Sequence, residues 1–303
     1  MPSVTVSGAS GMIGRRLVAE LLGDGWDVTI LSREPERARR ALGNVRVYEW
    51  DPVREGAPIQ ALSGRDAVAH LAGAPVAQRW SSEAKHAIRD SRVTGTENLL
   101  AALRETEPRP HVLVSSSAIG YYGPRGIEPI DEEAGPGGDF LADVCVAWEG
   151  QAELAAKLGM RVVRVRTGVV LDRGGGALAK MLLPFQLGIG GPVAGGRQYM
   201  PWIHSDDVVG MFVAALGDER WQGAVNASAP GPVTNREFSH ALGRALHRPA
   251  FVPVPGLALR ALYGEMAQIV TGGVRAVPAK PLMLGYAFRH PELGEALRSA
   301  LAR

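Results

Sequence analysis

The stretch Val4-Thr5-Val6-Ser7-Gly8-Ala9-Ser10-Gly11-Met12-Ile13-Gly14 decides how this chain is read. A short β-branched run ends in a glycine loop. A helical stripe follows at Ile13, Leu17 and Leu21, with Val18 and Leu22 beside it, and stops at Gly23. Glycines spaced as G-x-x-G-x-x-G between a strand and a helix omit the side chains that would fill the space of a phosphate. Backbone N–H groups and the positive end of the helix then face that space. Glycines alone say little; the strand–loop–helix context is what the motif needs. Gly8, Ser10, Gly11, Met12, Ile13 and Gly14 are therefore expected to hold the pyrophosphate of a dinucleotide.

Outward from this loop, strands are expected at Val28–Leu31, Arg46–Tyr48, Ala67–Leu71, Val112–Val114 and Val162–Val165. One long helix is expected from about Ser82 through Arg92, with a further half from Thr96 to Leu103. Strands separated by helices imply right-handed crossovers and a parallel sheet covered on both faces. The expected fold is α/β: a doubly wound parallel Rossmann sheet with a smaller C-terminal α/β substrate lobe. Residues 1–173 would form the dinucleotide-binding domain, the sheet being completed within 200–230, and residues 174–199 and 231–303 the lobe. The change of character comes at the glycine-rich stretch Gly174 to Gly196 and the proline-rich stretch Pro249 to Pro291. Helices are expected at Asn235–Leu246 and around Leu257–Ala267, and Thr271 to Tyr286 has no clear pattern.

Composition narrows the partners. The 303 residues include 33 Lys+Arg and 31 Asp+Glu, a net charge of +2 that gives no general drive toward nucleic acid or an anionic membrane. Cys145 is the single cysteine, which excludes an intrachain disulfide and a multi-cysteine metal site. No apolar run approaches the roughly 18 residues of a membrane span, and the start lacks the basic region of a secretory signal. The expectation is a cytoplasmic protein acting on a small molecule, with no nucleic-acid or membrane partner and with homo-oligomer formation open. No metal is expected. His204 and Asp206, two residues apart, should diverge and serve to fix the segment between the lobes. Asp131-Glu132-Glu133 reads as a solvated acidic run.

The end of the second strand bears on the choice of dinucleotide. An NAD site places Asp or Glu there for the ribose 2′-hydroxyl. This chain has Ser32-Arg33, a hydroxyl and a guanidinium suited to the 2′-phosphate of NADP(H). Glu34 would take the ribose role if the strand ended two residues later.

With these residues in place, the chain resembles an extended short-chain dehydrogenase/reductase. The resemblance is carried by the glycine loop, by Arg92-Val93-Thr94-Gly95-Thr96-Glu97-Asn98-Leu99-Leu100, by Ser115-Ser116-Ser117-Ala118 leading to Tyr122-Gly123, and by Pro201-Trp202-Ile203-His204-Ser205-Asp206-Asp207-Val208. More narrowly it is similar to the epimerase-like family labelled cell-division-inhibitor homologue, which carries a C-terminal domain of unknown function. Leu71-Ala72-Gly73, Arg79-Trp80, Ala118-Ile119-Gly120-Tyr121-Tyr122-Gly123, Trp148-Glu149 and His290-Pro291-Glu292-Leu293-Gly294 match it. The resemblance implies NADP(H) binding and oxidoreductase or epimerase chemistry on an unspecified substrate. It adds Leu71, Ala72 and Gly73 as a wall beside the cofactor, Arg92 near it, and Val170 as a backbone contact toward the nicotinamide.

The resemblance breaks at the catalytic pair. Such reductases use a Tyr and, four residues later, a Lys that holds the ribose and lowers the phenol pKa. Counting back from Glu149 puts Cys145 at the Lys position and Leu141 at the Tyr position, and neither residue can do that work. Ser117, Tyr121 and Tyr122 are the candidates left for handling a substrate oxygen, with a Cys145 thiol as a further option. Two readings stay open: an NADP(H)-dependent oxidoreductase or nucleotide-sugar-epimerase-like enzyme with altered proton chemistry, or a non-catalytic NADP(H)-binding sensor or scaffold.

Overall fold

A computed structural model describes residues 1–302. Strand β1 (Ser3–Ser7) leads into α1 (Met12–Gly23), β2 (Asp27–Ser32), α2 (Pro35–Leu42), β3 (Arg46–Glu49), α3 (Ile59–Leu62) and β4 (Ala67–His70). Then come α4 (Ser82–Asp90), α5 (Val93–Glu105), β5 (Val112–Ala118), the two-residue β6 (Pro129–Ile130), α6 (Phe140–Glu153), β7 (Arg161–Thr167) and β8 (Val169–Leu171). The chain continues through α7 (Gly176–Gln186), β9 (Tyr199–Met200), β10 (Trp202–His204), α8 (Ser205–Gly217), β11 (Gly223–Ala227), α9 (Asn235–Leu246) and α10 (Gly256–Tyr263), and ends in a helix at Leu293–Ala302.

Seven strands form one sheet in the order β11-β7-β5-β4-β1-β2-β3, every pair parallel. This is the doubly wound Rossmann-like architecture expected from the alternation of strands and helices. Side chains alternate across each strand, so both faces are apolar. Val4, Val6 and Val114 pack with Leu17 and Leu21 of α1 and Phe212 and Ala215 of α8. Val68, Leu113 and Val162 face the other way, against Leu62 of α3 and Leu99, Leu100 and Leu103 of α5. A third core joins Leu178, Leu182 and Phe185 of α7, Phe238 and Leu242 of α9, and Leu293 and Leu297 of the last helix.

Local chemistry accounts for the departures from expectation. The helix expected from Ser82 through Arg92 ends at Asp90, because the Ser91 hydroxyl donates to the Ile88 carbonyl and accepts from Ala74 N–H. Helix α9 has the expected bounds, set by a capping box in which Thr234 and Glu237 satisfy each other's backbone N–H groups. The helix expected to reach Ala267 stops at Tyr263, where Gly264 takes φ +62°, and a 3₁₀ turn follows. The stretch without pattern holds a two-residue strand at Arg275–Ala276, paired with β6, and a short helix at Ala279–Met283. Glu132 is a correction. It is buried, not solvated, and its carboxylate accepts from Asn226 N–H and Lys280 N–H. Among the described residues no helix is long and apolar enough to cross a membrane.

Candidate functional site

The sheet reverses direction between β1 and β4. The chain moves from β1 outward to β2 and β3, returns to β4, and leaves the other way through β5, β7 and β11. In sheets of this kind a ligand sits outside the strand carboxyl ends at such a switch point. The three loop glycines do different things there. A Cβ on Gly8, which has φ +70°, would lie 2.5 Å from the Leu71 carbonyl carbon, and one on Gly14 would lie 2.3 Å from Gly8 O. Those two let the loop close on β4 and on itself. A Cβ on Gly11 would meet only Gly8 O, at 3.2 Å, so Gly11 faces open space beside the exposed Ser10.

Helix α1 begins without a side-chain cap or an acidic residue in its first turn. Arg15 N–H is the first to bond back, to Gly11 O. The N–H groups of Met12, Ile13 and Gly14 thus have no helical acceptor, and the positive helix end is uncompensated. This is a donor set that fits a diphosphate.

The wall after β4 is fixed from behind. Ser7 Oγ accepts from Leu71 N–H at 3.2 Å and Ala72 N–H at 3.3 Å, and lies 2.7 Å from His70 Nδ1. With both bonds accepted, the hydroxyl proton is left for the imidazole. Complete burial pushes the pKa of His70 down to about 4, so the ring stays neutral and can accept. Farther along, a Cβ at Gly73 would stand 3.1 Å from the Arg92 guanidinium carbon. Val170 lies in β8, in register with Ile203 of β10.

At the ends of β2 and β3, Arg33 joins Glu49, Asp51, Arg54 and Glu55 around a half-open cavity of about 410 Å³. Glu34 is 3.4 Å from Arg37, and Asp51 is 3.4 Å from Arg54. Arg33 has no carboxylate partner among the described residues. Ser32 Oγ accepts from Glu34 N–H at 3.2 Å.

The catalytic candidates separate sharply. Ser117 is buried and donates to Glu149 Oε1 at 2.6 Å. Its proton is committed to Glu149, which leaves its lone pairs for any further hydrogen bond. Tyr122 is wholly buried; its hydroxyl donates to Asn226 Oδ1 and accepts from Arg166 Nη1, each at 2.8 Å. Burial pushes its phenol up to about 12. Tyr122 is thus a core tyrosine, not a proton donor at the strand carboxyl ends. Tyr121 is different. It is half-buried, the Arg166 guanidinium lies 3.6 Å from its ring centroid, and its hydroxyl has no partner among the described residues. Burial also pushes Cys145 up to about 12, which leaves an inert thiol 3.9 Å from Ala118 O.

Glu149 gathers what the sequence reading left apart. Besides Ser117, it accepts from Arg166 Nε and Nη2 at 2.8 Å and from Arg164 Nη1 at 3.2 Å. Burial works against the charge of Arg166, but Glu149 holds its pKa above the ordinary value. The Trp148-Glu149 match was the available signal, and it gave no hint that Glu149 meets Arg166, Arg164 and Ser117.

His204 and Asp206 do not diverge as expected. His204 caps α8, so its Nδ1 accepts Asp206 N–H and lies 3.6 Å from the Asp206 carboxylate. His290, distant in sequence, lies against His204 with centroids 3.8 Å apart and the rings tilted by 43°, and reaches Asp206 at 3.3 Å. Three ligand atoms come within 4.8 Å of one another. The His204 lone pair at Nδ1 is already used, and Arg16 stands 3.9 Å from Asp206. The cluster joins α1, α8 and the C-terminal segment.

The sequence pattern of the NAD dependent epimerase/dehydratase family matches residues 4–227, and that of a domain of unknown function, DUF1731, matches residues 254–300. The chain is 39% identical over 301 residues to "Epimerase family protein SDR39U1 homolog, chloroplastic" of Arabidopsis thaliana, covering 99% of this chain and 86% of that one. It is 39% identical over 306 residues to epimerase family protein SDR39U1 of Mus musculus, covering 99% of each. Among solved structures, that of human epimerase family protein SDR39U1 (isoform 2) with NADPH has a TM-score of 0.89 at 34% identity, with 99% of both chains covered. UDP-galactose 4-epimerase has the same fold, at a TM-score of 0.75 and 20% identity, covering 99% of this chain and 98% of that one. This chain belongs to the NAD dependent epimerase/dehydratase family, in its SDR39U1-like branch with a DUF1731 segment at the C-terminal end.

Proposed function

We propose that the chain is an NADP(H)-dependent oxidoreductase or nucleotide-sugar-epimerase-like enzyme. Its small-molecule substrate would lie between the strand carboxyl ends and a lobe made by residues 174–199 and 231–303, and it would work in the cytoplasm. The observation that carries the cofactor choice is Arg33: it lines a cavity at the ends of β2 and β3 without an ion-pair partner among the described residues, although Glu49, Asp51 and Glu55 also line that cavity, while Glu34 lies 3.4 Å from Arg37. The human relative solved with NADPH supports the same choice. When bound, NADP(H) supplies or accepts a hydride.

The chain's own residues would divide the remaining work. The N–H groups of Met12, Ile13 and Gly14 bind the diphosphate, with Gly11 and Ser10 leaving room for it. Ser32 and Arg33 take the 2′-phosphate. Leu71, Ala72 and Gly73 form one wall and Val170 contributes backbone at the far end. Tyr121 holds the proton, its phenol being the only one of the tyrosine pair not tied into the core. Ser117 accepts a hydrogen bond from substrate and stays anchored to Glu149.

The test is direct. Calorimetric titration with NADPH and NADH measures the preference, and mixing the loaded protein with carbonyl compounds and nucleotide sugars while following nicotinamide absorbance looks for turnover. NADPH binding with no turnover on any compound favours the second reading, a redox-responsive binding protein. That reading is supported by Leu141 and Cys145 at the catalytic positions and by the committed proton of Ser117.

A further inference from the structure

Arg92 is a half-buried cation at the end of the Leu71–Gly73 wall that has no carboxylate partner among the described residues. Its Nη1 donates to the Ala74 and Ile88 carbonyls at 3.1 and 3.0 Å. Among the described residues no carboxylate lies within ion-pair distance of it. Burial lowers its pKa. The guanidinium lies beside Gly73, and its carbon is 5.2 Å from the centroid of the Trp148 ring, one turn along α6 from Cys145.

Trp148 brings a second, independent observation. It is 4% exposed, and its indole Nε1–H finds no acceptor. A buried donor without an acceptor and a half-buried cation without a counter-charge each cost free energy. Here they stand side by side, where β4 and β5 end and α6 passes. An acceptor carrying negative charge would satisfy both.

We propose that Arg92 and Trp148 form an anion-recognition site for the substrate, and that the substrate bears a carboxylate or a phosphate. This rests on reading the strand carboxyl ends as the substrate site. Two groups in the loaded protein could supply the chemistry: an anionic group on the substrate, or the diphosphate of the dinucleotide. Position favours the first. The diphosphate has its own donors at the start of α1, on the β1 side of the Leu71–Gly73 wall. Arg92 lies against Gly73 at the end of that wall, beside Trp148 and Cys145 of α6.

The experiment is calorimetry on the full chain with inorganic phosphate and with malonate as probes, in the presence and absence of saturating NADPH. It is repeated with Arg92→Met, Arg92→Lys and Trp148→Phe. The NADPH-loaded wild type should bind at least one probe. Arg92→Met should weaken that binding tenfold or more, since hydrogen bonds to charged groups are of that size. Arg92→Lys should retain part of it, and Trp148→Phe, which keeps the ring and loses only the N–H, should weaken it severalfold. NADPH affinity should change less than threefold in all three. If Arg92→Met does not fold, Arg92→Lys and Trp148→Phe carry the test alone. A tenfold loss of NADPH affinity in Arg92→Met, without probe binding to the loaded wild type, would assign Arg92 to the diphosphate and overturn the proposal. Probe binding unaffected by every variant would overturn it as well. A wild type that binds the probes but not NADPH would sink the cofactor reading and leave the anion site standing.

Discussion

Ser117 gives its hydroxyl proton to Glu149 across 2.6 Å, with both side chains buried. The bond sets a hierarchy of costs. Ser117→Ala removes one donor and leaves Glu149 with its two arginines, so it should cost about 1 kcal/mol of stability. Glu149→Leu strands Arg166 and Arg164 without their carboxylate and should cost about 3–5 kcal/mol. Urea unfolding of the two variants checks the ranking, and equal losses would contradict it.

The two adjacent tyrosines should behave as opposites. Tyr122→Phe leaves Asn226 and Arg166 short of a partner and should cost about 1–3 kcal/mol, with little effect on any turnover per folded molecule. Tyr121→Phe should leave stability nearly unchanged and lower turnover at least a hundredfold, the low end for a general acid–base group. Denaturation and rate measurements on the pair separate the roles.

The glycine loop offers a similar contrast. Gly14→Ala drives a methyl into Gly8 O and should destabilise the fold itself. Gly11→Val should preserve the secondary structure and abolish dinucleotide binding, because its side chain enters the space in front of the α1 N–H groups. Circular dichroism and calorimetry on both variants distinguish lost folding from lost binding.

Arg33→Ala should remove most of the NADPH preference. Hydrogen bonds to charged groups are each worth about 1.5–3 kcal/mol, so wild type should prefer NADPH over NADH by roughly ten- to a hundredfold. The variant should bind NADH almost as wild type does. Added salt should weaken NADPH binding more than NADH binding. A variant that loses both cofactors equally would remove Arg33 from the 2′-phosphate.

His70 makes stability depend on pH. Its unfolded imidazole titrates near 6.5 and its native one near about 4, so between these values the unfolded chain binds more protons. The contribution is complete above pH 6.5 and is lost as pH falls toward 4, on the order of 3 kcal/mol in all. The His70→Asn variant should lack that part of the slope, as read by denaturant melts across the range.

The sheet was legible because its signals are local. Val4 to Gly14 and the alternating runs at Val28, Ala67 and Val112 state strand, loop and burial within a few residues. The same holds for α9, whose Thr234 and Glu237 declare its start. The catalytic region was only partly legible. Ser115-Ser116-Ser117 and Tyr121-Tyr122 pointed to the end of β5, but nothing along the chain tells an unpartnered hydroxyl from one facing Glu149 or Asn226. That choice is made by residues far away in sequence. Glu132 looked solvated for the same reason: its two N–H donors come from Asn226 and Lys280. The contact of His290 with His204 depends on a chain reversal that no spacing rule reports.

The carboxylate of Asp207 accepts the backbone N–H groups of Arg289 and His290, at 2.6 and 3.0 Å, and Tyr286 donates its hydroxyl to the Asp207 carbonyl at 3.0 Å. Asp207 sits in α8, which packs on α1, the helix that opens at the glycine loop. The two family patterns therefore divide a text that the molecule does not divide. A protein cut after residue 227 would keep every residue of the glycine motif, yet expose an apolar seam and take from Asp207 both backbone donors that its carboxylate accepts. The C-terminal segment acts as a keystone for the dinucleotide half. Its inheritance with the fold follows from mechanics, whatever it contributes to chemistry.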